Sequence, residues 1–66
     1  MSLLKRITKV LLHQMPDKTA QIYLVYENEM RELALDCRHR DLELARFLAK
    51  QTAHYFLLSD FEEEGE

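Results

Sequence analysis

Between Asp41 and Leu58 the apolar positions recur every three to four residues, and no Gly or Pro interrupts them. Wound at about 100° per residue, Leu44, Ala45, Leu48, Ala49, Thr52, Tyr55 and Phe56 fall on one side, with Leu42 at its edge. Glu43, Arg46, Lys50 and His54 fall on the other. The pattern predicts an α-helix over 41–58, and Asp41 suits its N-cap or first turn. Leu, Ala, Glu, Arg and Lys supply the propensity. A single helix with one apolar face is not stable alone in water, so the remaining chain must cover that face.

The cover is predicted to be a sheet. Thr19 to Glu27, TAQIYLVYE, is dense in Ile, Tyr and Val and reads as a strand. Glu27-Asn28-Glu29 reads as the hairpin turn, with Asn taking the positive φ that a tight hairpin needs. Met30 to Cys37 alternates, with Arg31, Leu33, Leu35 and Cys37 on one face. On this reading Leu33, Leu35 and Cys37 meet Leu44, Leu48, Thr52, Tyr55 and Phe56. One long helix over about residues 28–58 is the competing reading, but Arg38, His39, Arg40 and Asp41 would break its apolar stripe.

Residues 2–14 fit either element. As a helix, Leu3, Leu4, Ile7, Val10 and Leu11 share an arc opposite Lys5, Arg6, Lys9 and His13, and Ser2 can cap it. As a strand, Ile7, Thr8 and Val10 are β-branched. A strand is the preferred reading, because a third strand stabilises a hairpin that is weak alone. Met15-Pro16-Asp17-Lys18 is a turn, since proline removes a donor and disfavours helix at Met15. The expected fold class is therefore α+β: a small antiparallel sheet, two- or three-stranded, packed by one C-terminal helix. Residues 1–61 form one domain, and 62–66 are expected to be a disordered acidic tail.

Composition agrees with a globular chain, with 47% hydrophobic and 32% charged residues and one Gly and one Pro in 66. So short a chain leaves a large share of its surface in water. Cys37 is the sole cysteine, so an internal disulfide cannot add support, and oligomerisation is the expected aid. The longest uncharged apolar runs, such as Ile22 to Tyr26, fall far short of the ~20 residues a membrane helix needs. A lone thiol with no signal segment leads to the expectation of a cytoplasmic protein. Net charge is −3, but residues 1–14 carry +3 and the last seven residues hold five acids. Such polarity can steer head-to-tail association; the plainer reading is a solvated face and a frayed tail.

The candidate chemistries are few. Cys37-x-His39 offers two ligands, but His13 and His54 lie 24 residues before and 17 after Cys37, poor spacing for zinc. The same pair is the only nucleophile and base in view, and a reduced structural Cys beside a surface His is the preferred account. The single glycine, Gly65, rules out a Gly-rich phosphate loop. The expectation is thus no enzyme, no metal, no cofactor and no small-molecule substrate. Lys5, Arg6 and Lys9, with Arg38 and Arg40 as anion contacts, carry the alternative of a small nucleic-acid-associated regulator. The acidic overall balance argues against it.

A second stripe on the helix is more telling. Phe47, Gln51, His54 and Leu58 recur at i, i+4, i+7 and i+11, and Ala53 and Leu57 add apolar area further round. Apolar side chains grouped in this way mark a partner surface, although single exposed ones are ordinary. The expected function is a non-catalytic interaction module or assembly subunit. Its partner is itself or a larger protein, and its candidate interface is Phe47, Gln51, His54, Leu57 and Leu58.

Overall fold

The β-branched and leucine-rich segments pair into a meander, and the helix lies across it. A computed structural model describes residues 6–17, 19–37 and 42–65, with Cys37 described through its backbone alone. Strands β1 (Ile7–Gln14), β2 (Ala20–Tyr26) and β3 (Arg31–Cys37) are followed by helix α1 (Leu42–Tyr55) and a short strand β4 (Glu62–Glu64). The sheet order is β3-β2-β1-β4. The first three strands pair antiparallel, and β4 pairs with β1 in parallel. The α+β expectation holds, and the N-terminal segment is the third strand. The proposed caps Ser2 and Asp41 lie outside the described residues, as do Lys5, Arg38, His39 and Arg40.

The turns follow local chemistry. Asp17 Oδ1 accepts from the Thr19 N–H (3.1 Å) and hydroxyl (2.6 Å), fixing the Pro16 turn. At the second hairpin the Glu29 N–H donates to the Tyr26 carbonyl (2.7 Å), and the Tyr26 N–H to the Met30 carbonyl (2.9 Å). That is a three-residue loop ending in a left-handed residue. The left-handed position is Glu29, φ 69°, rather than Asn28. Asn28 serves instead through its side chain, whose Oδ1 accepts from the Met30 N–H at 3.1 Å.

Three small residues set the helix on the sheet. Ala45, Ala49 and Ala53, spaced i, i+4 and i+8, are fully buried against Val10, Leu12, Ala20 and Ile22. Leu24, Leu42, Leu48, Leu58 and Phe61 close the margins of this core. The helix is therefore rolled toward Ala53 and away from Leu44 and Tyr55, which were expected to be central and are exposed. An alanine stripe lets the helix backbone approach the sheet, which a row of leucines would hold off. The helix packs over β1 and β2, and residues 31–36 of β3 are exposed throughout.

The acids of 62–64 are not a disordered tail. Each meets a base on a neighbouring element. Glu62 lies 3.4 Å from Lys9 Nζ. Glu63 takes Arg46 through Nη2 (2.8 Å) and Nε (3.0 Å), and Gln14 also donates to it. Glu64 lies 3.2 Å from His13 Nδ1 and 3.4 Å from Arg31 Nη1. Lys9 of the basic N-terminal stretch thus meets an acid of the C-terminal run, and the like-charge run becomes an edge strand.

Candidate interaction surface

Side chains on the sheet divide cleanly once the core is known. Ala20 and Ile22 of β2 face the helix with Leu24, so Gln21, Tyr23 and Val25 occupy the other, open face. Direct partners in an antiparallel pair share a face. Arg31 is opposite Val25 and Leu33 opposite Tyr23, which places both on the open face. Glu32 is opposite Leu24 and Leu35 opposite Ile22, on the helix face. The register shift between Ile22 and Tyr23 is a bulge that leaves Ala34 as the extra residue. The regular alternation read from the sequence is broken there, so Leu33 does not join Leu35; the side chain of Cys37 lies outside the described residues.

Leu35 faces the helix layer without being buried by it. Leu33 is 46% exposed and Leu35 40% exposed, and neither meets the helix as expected. The helix flank explains why. Arg46 reaches Glu63 on β4, beyond β1. Leu44, Leu48, Gln51 and Tyr55 lie on the opposite flank, toward β3. Leu44 and Tyr55 are exposed there, Phe47 is exposed on the side of the helix away from the sheet, and Met30 is exposed at the start of β3. Apolar side chains thus line both sides of a trough between the helix and the β3 edge. The Tyr55 ring stands edge-on to Phe56, centroids 5.0 Å apart, which fixes it at the trough's end.

The residues proposed from the helical stripe separate. Phe47 is 57% exposed and Leu57 93% exposed, with Gln51 and His54 exposed beside them. Leu58 is not: it packs against the core. The helix end is the reason. The Leu58 N–H donates to the Ala53 carbonyl (2.8 Å) and the Leu57 N–H to that of His54 (3.0 Å). This is a Schellman closure, which brings the residue after the left-handed position back onto the helix. Leu57 holds that left-handed position, φ 62°, where glycine is usual. The sequence carries the helical stripe through to Leu58 and sets Leu44 and Tyr55 against Leu33 and Leu35 inside the chain, where the structure leaves all four exposed. The three alanines at four-residue spacing were the available signal for the first two.

No family model, curated protein or solved structure matches this chain.

On the open face, Lys9, Leu11, Val25, Arg31 and Glu62 line a shallow groove. Leu11 and Val25 are buried in its floor, and charged pairs form its rim. One carboxylate and one phenol are tuned by neighbours. Arg46 hydrogen-bonds Glu63 and holds its carboxyl below the ordinary value. Glu32, hydrogen-bonded to the Tyr26 hydroxyl, raises the phenol above its ordinary value. Among the described residues, His, Cys, Asp and Glu form no group of three placed to hold a metal ion. No helix among them is long and apolar enough to cross a membrane.

Proposed function

We propose that this chain is a non-catalytic protein–protein interaction module that self-associates through the β3 side of its sheet. One observation carries the reading: a single helix covers two strands, while the third strand is exposed along its length beside an apolar helix flank. Exposed edge strands offer unpaired backbone groups to another strand, and apolar rows next to them add burial. Leu35, Leu44 and Tyr55 supply that burial here. The basic group at the start of the chain is a weaker basis for a nucleic-acid role, because Lys9 is paired with Glu62.

The test is mass in solution over a concentration series, by sedimentation or light scattering. A dimer is expected, and Leu35→Glu or Leu44→Glu dissociates it while the circular dichroism of the fold is retained. A wild-type chain that stays monomeric at millimolar concentration refutes self-association.

A further inference from the structure

We propose that the outer edge of β1 is a receptor for an extended acidic segment of another protein, and that β4 is a tethered stand-in for that segment. The glutamates of β4 display what the edge selects. Glu62 pairs with Leu11 and Glu64 with His13, which puts both on the open face, while Glu63 beside Leu12 takes the helix face. Each meets groups already placed there. Lys9 Nζ lies 3.4 Å from Glu62. His13 Nδ1 (3.2 Å) and Arg31 Nη1 (3.4 Å) converge on one oxygen of Glu64, Oε1. On the other face Arg46 donates to Glu63 through two nitrogens, with Gln14 beside it. These partners come from β1, β3 and α1, so the body of the domain carries the site and β4 only fills it. Consecutive acids in an extended chain satisfy both faces at once, which a neutral or basic strand does not.

The occupant in place is short and weakly held. β1 runs for eight residues, yet β4 pairs with Leu11, Leu12 and His13 alone. A segment that continues past the length of β4 can add backbone pairs along residues 7–10. All three residues of β4 are exposed, and exposed ion pairs contribute little to holding it. Phe61, just before β4, packs against the core, so the strand can peel away from residue 62 onward without opening the interior. Segments with few buried apolar contacts open at low cost in free energy. The β1 edge lies across the sheet from β3, so this site stands whether or not the chain self-associates.

The test titrates the full chain into a fluorescein-labelled peptide of residues 60–66, DFEEEGE, and reads anisotropy. In the wild type the tethered β4 competes at an effective concentration of about 1 mM, so a site with Kd about 0.1 mM is weakened about tenfold. Glu62→Gln, Glu63→Gln and Glu64→Gln together disable the competitor, and none of the three belongs to the core. The neutralised chain is expected to bind the peptide about tenfold more tightly than wild type, and to lose that binding in high salt or with Arg46→Glu. In the wild type, unlabelled peptide at about 1 mM is expected to shift the backbone NMR signals of β1 and release those of β4. A neutralised chain that keeps its circular dichroism and does not bind overturns the proposal, as does a wild type whose β1 and β4 signals stay fixed. Equal binding of the peptide with glutamine for its three central glutamates also overturns it, since the edge would then select no charge. A single-stranded oligonucleotide that binds the neutralised chain more tightly than the peptide assigns the edge to nucleic acid instead.

Discussion

Replacing Leu57 with glycine should make the protein more stable, although it deletes a large apolar side chain. Leu57 has φ 62° and is 93% exposed. Full burial of a leucine is worth roughly 1.5–3 kcal/mol. The hidden 7% (100 − 93) is thus worth only about 0.1–0.2 kcal/mol. Against this stands the cost of a left-handed backbone at a residue with a Cβ, about 1–2 kcal/mol. Glycine returns about 0.5–1 kcal/mol of that through its greater freedom in the unfolded chain. The net gain is therefore about 0.5–1 kcal/mol. In a chain of this size it raises Tm by roughly 2–8 °C. Leu57→Ala is the control, since alanine keeps the Cβ and the strain. Urea denaturation at low protein concentration, where association does not add to stability, measures all three forms. A Leu57→Gly protein no more stable than Leu57→Ala, with equal m-values, would refute the strain argument. The substitution also separates folding from association, because weakened association alongside raised stability marks Leu57 as part of the docking surface.

Two other outcomes follow from the same structure. Ala49 is fully buried between helix and sheet, so Ala49→Leu should lift the helix and cost about 1–3 kcal/mol in denaturant unfolding; wild-type stability would mean the seam is loose. Glu63 has its folded pKa held below the ordinary 4.5 by Arg46, so its contribution is present above about that pH and lost as pH falls through the folded value. Acid titration followed by NMR should show β4 amides shifting before those of β2, with the step shrunken in Glu63→Gln; β4 unchanged at pH 2 would contradict this.

The fold was legible where the chain obeyed one period at a time. The strand character of residues 19–27 and 30–37 and the helical character of 42–55 follow directly from residue spacing. The helix face was misjudged because large side chains such as Leu44 and Tyr55 weigh more in a hydrophobic pattern than Ala45, Ala49 and Ala53. Contact with a flat sheet reverses that weighting, since the small residues set the closest approach. The bulge at Ala34 leaves no mark in a strand that alternates evenly on paper, yet it decides which face Leu33 occupies. Glu62 to Glu64 misled for another reason. Three consecutive acids read as a repelling run until the partners on β1 and α1 are known, and those partners are 17 to 53 residues away. Of the candidate surface, Phe47 was visible from periodicity and Leu57 only as added apolar area beside the stripe. Leu58 was not, because its burial depends on the turn geometry just before it.

The parallel pairing of β4 with β1 also sets an order of assembly during synthesis. His13 and Glu64 are 51 residues apart in the chain. The β1–β2 hairpin and its partner β3 leave the ribosome before residues 62–64. Until residues 62–64 follow, the outer edge of β1 stays unpaired, with Val10, Leu11 and Leu12 in the strand behind it. Such an edge can recruit neighbouring nascent strands. The three glutamates close it last, and they do so with charge, which also repels other copies of the same unfinished chain.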